Sequence, residues 1–326
     1  MASAHESALV FAADEGFAQP TAVAMYSALR HLAPVPEVGI YVLDNGIVPP
    51  SRERLQKVAH RAGGSKIRWL DVPPDRLVEH QGRQHLTSTA YARLLIPELL
   101  PPHIGRAVYL DGDILVTDDL LPLFKVPLDG APFGAVKDFH VPTTDSERSS
   151  IRELAEPKPY CNTGVLVIDP VQWRGEGFTE RALAFARSTP EPLPFADQDA
   201  MNAVANRWRE LDFRWNVQVL SMYWPDLPGS ELKEWLIRHR DELYRDAAVL
   251  HFGGVPKPWQ PWSFATSRGK SAWVHALIRS GWHTPAQSLR WSSHWLVRRG
   301  LDAARRAMRA HSSARRGSET SAAHPD

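Results

Sequence analysis

Residues 107–120 read Ala-Val-Tyr-Leu-Asp-Gly-Asp-Ile-Leu-Val-Thr-Asp-Asp-Leu, and this stretch predicts both the fold and the position of a site. The apolar, β-prone run at 108–110 is typical of a buried strand, and it ends on Asp111 and Asp113. In open α/β sheets ligands bind beyond the carboxyl ends of strands, so we expect both carboxylates at the mouth of a site. Carboxylates this close repel unless they share a proton or bind a cation such as Mg²⁺ or Mn²⁺. An acidic turn without a ligand is the alternative interpretation.

The segments before this stretch alternate between strands and helices. Strands are predicted at 7–13, 38–43 and 66–70, and helices at 21–32 and 51–62. This alternation indicates right-handed βαβ crossovers and a mostly parallel, Rossmann-like sheet through about residue 115. The chain lacks both Gly-x-Gly-x-x-Gly after the first strand and Gly-x-x-x-x-Gly-Lys-Ser/Thr. A nucleotide bound here would therefore need carboxylates and a metal.

Composition limits the class of protein. Of the 326 residues 43% are hydrophobic, and the single cysteine, Cys161, excludes an internal disulfide and a multi-cysteine metal site. The chain has no signal-peptide pattern, and no apolar run reaches the ~18–20 residues that span a bilayer. Residues 286–326 carry eight arginines against three acidic residues, so this tail is far more basic than the body. We predict a cytoplasmic protein that is soluble or peripheral on the inner face of a membrane.

Polar residues beside apolar runs mark further candidates in the middle of the chain. A helix is predicted at 87–100, and Pro97 should end or kink it. Arg93 lies in this helix, and its guanidinium could form a structural ion pair, contact Asp111 or bind a sugar diphosphate. Asn162 and Gly164 precede a strand within 160–169, where the glycine allows either close approach of a ligand or a bulge. The polar segment 138–159 is either a mobile substrate loop or a long surface loop.

Two later segments combine polar residues with the start or end of an element. Asp197, Gln198 and Asp199 fall at an expected helix start, where acidic residues also act as ordinary caps. Residues 249–259 run from a short apolar strand into a glycine turn and then to Lys257; here His251 is a candidate metal ligand and Lys257 a candidate phosphate contact. A core histidine and a solvated lysine are the alternatives.

Six motifs, in this order and spacing, resemble those of family 8 glycosyltransferases. They are Asp14 after the first strand, Thr-Ala-Tyr-Ala-Arg-Leu at 89–94, Tyr-Leu-Asp-Gly-Asp at 109–113, Asn-Thr-Gly at 162–164, Asp-Gln-Asp at 197–199 and His-Phe-Gly-Gly-Val-Pro-Lys-Pro-Trp at 251–259. The resemblance covers roughly residues 7–262. It implies an α/β GT-A fold, a Rossmann-like mixed sheet with flanking helices, in a retaining, Mn²⁺-dependent enzyme. Bacterial lipopolysaccharide galactosyl- and glucosyltransferases and glycogenin belong to the same group.

The resemblance also implies roles for individual residues. The metal, Mn²⁺ with Mg²⁺ possible, would be bound by Asp111, Asp113 and His251. The nucleotide-binding residues would be Ala12, Asp14 and Phe17 at the uridine and Gly254 and Lys257 at the phosphates. The donor-sugar residues would be Arg93, Asn162, Asp197 and Gln198, and the catalytic residues Asp197, Gln198 and Asp199. Retention requires a carboxylate nucleophile, for which Asp199 is the candidate, or same-face attack by the acceptor hydroxyl, which we favour. The sequence departs from the family's habit at Gly16, Phe17, Cys161 and Thr163.

We predict a catalytic domain at 1–282, followed at 283–326 by a basic amphipathic helix and a disordered tail. The helix, at 286–310, has arginines on one side and carries Trp291 and Trp295, which suits either an anionic membrane surface or packing on the body. Nucleic acid is not an expected partner.

The predicted activity is transfer of a hexose, glucose or galactose, from a UDP-sugar to a hydroxyl of a glycan or lipid-linked acceptor. One alternative is a non-catalytic nucleotide-sugar-binding protein. Another is a haloacid-dehalogenase phosphatase, although Leu115 stands where that motif has threonine or valine.

Overall fold

The computed structural model describes residues 7–32, 38–78, 88–138, 159–190, 193–219, 234, 238–254, 257–260, 267–284 and 286–287. The chain divides into two units, Met1–Trp282 and His283–Asp326, and both sheets lie in the first. Most of the predicted tail helix at 286–310 and all but the ends of the segment 138–159 lie outside the described residues.

A seven-stranded mixed sheet forms the centre of the first unit, and a three-stranded sheet accompanies it. The strands are β1 (Ser7–Ala13), β2 (Val38–Asp44), β3 (Ile67–Asp71), β4 (Arg106–Leu110), β5 (Ile114–Val116), β6 (Phe133–Lys137), β7 (Cys161–Ile168), β8 (Arg209–Glu210), β9 (Val217–Gln218) and β10 (Val249–His251). The large sheet has the order β3-β2-β1-β4-β7-β6-β8. The first four strands in this order are parallel to one another, and β7 is antiparallel to both of its neighbours, β4 and β6. The predicted Rossmann-like mixed sheet is confirmed, with β1 at its predicted bounds.

Helices flank the sheet. They are α1 (Ala18–Arg30), α2 (Pro49–Arg61), α3 (Ile96–Leu99), α4 (Leu121–Phe124), α5 (Pro170–Gly175), α6 (Phe178–Ser188), α7 (Asp197–Val204), α8 (Arg240–Asp246) and α9 (Ser267–Ser280). Short 3-10 helices lie at Glu15–Phe17, Pro74–Arg76, Ser88–Leu95 and Phe213–Trp215. Helix α1 begins earlier than predicted because the Asp14 carboxylate accepts the Phe17 N–H and starts a 3-10 turn that runs into it.

The predicted helix at 87–100 is wrong in type. Ser88–Leu95 is a 3-10 helix, and only the four residues of α3 are α-helical. Tyr91, Leu94 and their neighbours are buried in the core, and tertiary packing decides the conformation here. Pro97 does not end or kink a helix. It lies in the first turn of α3, where its missing N–H is not needed.

Strand pairing brings the ends of distant segments together. β1 and β4 are parallel neighbours, with Val10 opposite Tyr109, so residues that follow the two strands lie at one edge of the sheet. In the small sheet β10 lies between β5 and β9, and His251 is opposite Ile114. Because Asp113 directly precedes β5, this register places it beside His251. Within the described part of the chain, no helix combines the length and apolar character needed to cross a bilayer.

Candidate active site

Asp111, Asp113 and His251 form a cluster at the carboxyl end of β4. The His251 Nε2 atom lies 3.3 Å from Asp113 Oδ1 and 3.8 Å from Asp111 Oδ2. One ligand atom of each residue lies within 4.8 Å of the other two, a spacing that one metal ion can bridge. The turn between the aspartates requires Gly112, since a Cβ there would lie 2.7 Å from Thr21 Oγ1. The structure therefore brings together the three predicted metal ligands.

Asp113 is buried and pairs with a buried lysine. The Lys257 ammonium donates to Asp113 Oδ2 and to the Phe252 carbonyl, so the alternative of a solvated lysine is wrong. Burial acts to raise the pKa of Asp113, but Lys257 and His251 outweigh it and hold that pKa well below its ordinary range. The Oδ1 atom is buried and has no hydrogen-bond donor among the described residues. An orphaned carboxylate oxygen beside an imidazole nitrogen fits a bound cation.

Asp111 has a different set of partners. The Tyr109 hydroxyl donates to Oδ1 at 2.6 Å, and the two terminal nitrogens of Arg93 lie 3.1 and 3.3 Å from the carboxylate oxygens. Arg93 also pairs with Asp197, at 2.9 Å from Nε, and donates to the Thr163 carbonyl. Burial acts to lower the pKa of Arg93, but Asp111 and Asp197 raise it above its ordinary value. Arg93 thus links the predicted metal cluster to the start of α7.

The three polar residues that begin α7 face the interior. Burial raises the pKa of Asp197 to about 7, against the opposing effect of Arg93. Gln198 accepts the Thr163 N–H at 3.1 Å and donates to Asp138 Oδ2 at 2.9 Å. Asp199 accepts the Tyr160 hydroxyl at 2.6 Å and the Phe195 N–H at 2.7 Å. Both acidic residues lie in the first turn of α7, as the capping interpretation expects, but the side chains of all three residues also bond groups outside the helix.

Asn162 and Gly164 lie inside β7 rather than before it. The pairing of β6 with β7 shifts register between Ala135 and Val136, so the irregularity considered from the sequence is present. A Cβ at Gly164 would lie 2.3 Å from Cε1 of His251. Glycine at this position makes room for the imidazole ring rather than leaving an open approach to the strand.

The predicted nucleotide-binding residues lie around the same edge. Ala12 is in β1, and Asp14 follows this strand and accepts the Thr89 hydroxyl at 3.0 Å. The Phe17 ring stands edge-on to Trp259, with centroids 5.7 Å apart. Gly254 has a φ of 74°, a backbone conformation that favours glycine, in the turn between His251 and Lys257.

Sequence reasoning missed the buried Asn216, whose Oδ1 lies 2.9 Å from His251 Nδ1. It also gave no role to Tyr109, Thr163 or Asp138. In the sequence, Asn216 is recognisable only as a polar residue directly before a short strand, and Asp138 only as a polar residue directly after one.

Together the fold and the cluster define an α/β protein with a candidate cation site at the sheet edge where open sheets bind ligands. The chain belongs to glycosyl transferase family 8, whose family model matches residues 8–263. The protein is thus a transferase of glycosyl groups. This assignment confirms the predicted family and removes the phosphatase alternative.

Curated proteins and solved structures agree with the family. General stress protein A of Bacillus subtilis (strain 168) is 30% identical over 85% of this chain and 94% of its own length. The lipopolysaccharide 1,2-glucosyltransferase of Escherichia coli (strain K12) is 26% identical over 65% of this chain, which spans about three-fifths (62%) of that protein. The structure of the galactosyltransferase LgtC, in complex with donor and acceptor sugar analogues, superposes with a TM-score of 0.69 at 26% identity. That match covers 88% of this chain and 99% of LgtC, and it confirms the GT-A fold.

Proposed function

We propose that this protein is a retaining hexosyltransferase that moves glucose or galactose from a UDP-sugar to a hydroxyl of a glycan or lipid-linked acceptor. The observation that carries the proposal is the buried Asp113 Oδ1 atom, which lacks a donor among the described residues and lies 3.3 Å from His251 Nε2. Similarity to a lipopolysaccharide glucosyltransferase and to a galactosyltransferase supports the choice of hexoses.

Mn²⁺, with Mg²⁺ as an alternative, is the proposed cation. Two carboxylates and an imidazole, from Asp111, Asp113 and His251, form a donor set that suits Mn²⁺. When bound, the cation would stabilise the negative charge that develops on the departing diphosphate. The Lys257 ammonium already lies at the cluster through its pair with Asp113, and Gly254 lies in the adjoining turn. We propose that both contact the phosphates.

The end of β1 is the proposed uridine site. Asp14 lies at the same sheet edge as Asp111 because β1 and β4 are parallel neighbours. Its carboxylate is fixed by the Phe17 N–H and the Thr89 hydroxyl, so it is preorganised to receive a ligand donor group. Ala12 presents no bulk near this edge, and the Phe17 ring would pack on the base.

We propose that the donor sugar is bound by Arg93, Asn162, Asp197 and Gln198. Arg93 pairs with Asp197, and Asn162 and Gln198 both donate to Asp138. Because the pKa of Asp197 is about 7, this buried carboxyl can accept a hydrogen bond from a sugar hydroxyl when ionised and donate one when protonated. Asp199 is fully buried, and both of its oxygens accept hydrogen bonds. That engagement favours same-face attack by the acceptor over a mechanism in which Asp199 is the nucleophile.

Incubation with UDP-glucose or UDP-galactose, with and without Mn²⁺, tests the proposal through release of UDP. Because hydrolysis without an acceptor is slow in many transferases, calorimetric titration with each UDP-sugar accompanies it. We expect Mn²⁺-dependent binding and turnover. Mn²⁺-dependent binding without turnover in the presence of sugar acceptors would favour the non-catalytic alternative. If no UDP-sugar binds in Mn²⁺, the proposed function is wrong.

We also propose that the protein is cytoplasmic and contacts an anionic membrane surface through residues 286–310. Eight arginines against three acidic residues in 286–326 support this partner over nucleic acid, together with Trp291 and Trp295. Removal of residues 286–326 should abolish sedimentation with anionic liposomes and leave sedimentation with neutral liposomes unchanged. Equal sedimentation of the full-length and shortened chains would contradict this contact.

A further inference from the structure

Asn216 directly precedes β9 and is completely buried beside the proposed cation site. Parallel pairing of β9 with β10 sets Gln218 opposite His251 and brings the Asn216 side chain to the far side of the imidazole ring. Its amide makes two hydrogen bonds, at 2.9 Å between Oδ1 and His251 Nδ1 and at 2.8 Å between Nδ2 and Asn162 Oδ1. Asn216 thus joins the imidazole to an amide of β7.

The direction of these hydrogen bonds is fixed at the β7 end. The backbone N–H of Gly164 can only donate, and it bonds Asn162 Oδ1 at 3.0 Å. Asp138 Oδ2 accepts the Asn162 amide nitrogen at 3.0 Å, which gives the same orientation. The oxygen of Asn162 therefore faces Asn216 and requires a donor from it. Asn216 must turn its nitrogen to Asn162 and its oxygen to His251.

This orientation determines which imidazole nitrogen carries a proton. Because the oxygen of Asn216 only accepts, His251 Nδ1 must bear hydrogen to bond it. A neutral imidazole then has its lone pair on Nε2, the nitrogen that faces Asp111 and Asp113. A lone pair on Nε2 is what a metal ligand must offer, and an acceptor on the opposite nitrogen orients such a ligand.

We propose that Asn216 is a positioning residue, which holds His251 with Nδ1 protonated so that Nε2 is directed at the cation site. This inference rests on the cation site of the proposed function. The imidazole Nδ1–H donates to Asn216 Oδ1, and Asn216 Nδ2 donates to Asn162 Oδ1, which also accepts the Gly164 N–H. Without Asn216, cation binding by Nε2 would leave a buried Nδ1–H with no acceptor, a cost that weakens the bound state.

Mn²⁺ binding tests this role without turnover. The dissociation constant is measured from the electron paramagnetic resonance of free Mn²⁺, first with the metal alone and then with UDP. Asn216→Leu, similar in size but without an acceptor, should raise the constant about 10–100-fold. Asn216→Asp keeps an acceptor for Nδ1–H but loses the donor to Asn162, so its affinity should lie between those of Asn216→Leu and the wild type. Gln218→Leu is the matched control, because this buried side chain two residues along bonds the Lys137 carbonyl. It should bind Mn²⁺ like the wild type.

Two results would overturn the inference while leaving the cation site in place. One is wild-type affinity in Asn216→Leu. The other is equal weakening in Asn216→Leu and Asn216→Asp when both remain folded by circular dichroism, since an acceptor for Nδ1–H would then make no difference to cation binding. If the wild-type chain binds no Mn²⁺ with or without UDP, the cation site itself is wrong and the inference is overturned with it.

A second measurement uses the wild-type chain and does not depend on the folding of any variant. With ¹⁵N-labelled histidine and Zn²⁺ as a diamagnetic cation, long-range ¹H–¹⁵N correlation spectra show which nitrogen carries hydrogen. The His251 signals are assigned by comparison with His251→Gln. We expect a proton on Nδ1 and none on Nε2. Binding through Nδ1, with a proton on Nε2, would overturn the proposal.

Discussion

The two sides of the Asp111-Gly112-Asp113 turn differ although their sequences look alike. On the Asp111 side both carboxylate oxygens have donors, which the Tyr109 hydroxyl and the Arg93 guanidinium supply. On the Asp113 side the Lys257 ammonium bonds one oxygen, and the other has no donor in the described part of the chain. The carboxylate of Asp111 is thus fully hydrogen-bonded, whereas Asp113 has one oxygen without a donor among the described residues, which could bind a further ligand.

This difference separates roles that the sequence treats as a pair. Asp111 is linked through Arg93 to Asp197, so its position depends on two of the proposed donor-sugar residues. Asp113 is tied to Lys257 and lies beside His251, both of which come from the segment around β10. We therefore expect substitutions on the Asp113 side to act on cation binding directly, and those on the Asp111 side to act also through Arg93 and Asp197.

The largest expected effect is the loss of turnover in Asp113→Asn. This substitution removes a charged ligand of the proposed cation, so UDP-sugar turnover should fall about 10²–10³-fold. Steady-state UDP release in Mn²⁺ measures it. Asp118→Asn is the matched control, because Asp118 is an exposed aspartate whose partner is Arg214 at the surface, and it should keep wild-type turnover. Equal turnover in Asp113→Asn and Asp118→Asn would show that Asp113 has no special role in the reaction.

On the Asp111 side, the pH dependence of stability tests the environment of Asp197. Burial raises its pKa from the ordinary value of 3.8 to about 7, so between these values the folded state holds a proton that the unfolded state has released. The free energy of unfolding due to this group should therefore fall as pH rises from about 4 to about 7, by up to about 4 kcal/mol. Outside this window its contribution should be constant.

Asp197→Asn removes this titration, so the unfolding free energy of the variant relative to wild type should increase over the same pH window. Urea denaturation of both proteins at several pH values measures the difference and cancels groups that they share. A difference that stays constant between about pH 4 and pH 7 would show that Asp197 titrates near its ordinary pKa.

The smallest of the three effects is expected from Gly164→Ala, which acts on the His251 side. A Cβ 2.3 Å from the imidazole must displace the ring, and such overpacking costs about 1–3 kcal/mol of unfolding free energy. Mn²⁺ affinity should fall as well, because the displaced ring no longer faces Asp113. Gly105→Ala is the control, since a Cβ there has no atom within 4 Å. Unchanged Mn²⁺ binding in Gly164→Ala would show that His251 is not a ligand of the cation.

Sequence patterns predict the parts of this fold that rest on local chemistry. The run at 7–13 gives β1 at its observed bounds because a continuous apolar segment is closed by Asp14, which also caps the following turn. The Asp-Gly-Asp motif likewise closes an apolar run, so the sequence predicts the end of β4 at this motif. The stretch at 87–100 misleads because burial of residues such as Tyr91 outweighs its α-helical pattern.

The partners within the site require tertiary contacts that no local pattern contains. Asn216 has no motif, and its role depends on the pairing of β9 with β10 and on the amide of Asn162. Likewise, a lysine in the turn after β10 reads as a solvated side chain until the fold places Asp113 beside it. Resemblance to a family supplies candidate site residues, but the hydrogen bonds between them are visible only in the structure.

The antiparallel pairing of β5 with β10 has a consequence for how the protein acquires its activity. Lys257 and Asp113 are 144 residues apart in the chain, and the register that sets His251 beside Asp113 spans nearly the same interval. During synthesis the sheet edge at β1 can form early, while the candidate cation site must wait for β10 to be made. Contacts of such long range form slowly. Cation binding should therefore report completion of the fold, and a chain that lacks β10 would lack the site that we propose for the reaction with UDP-sugars.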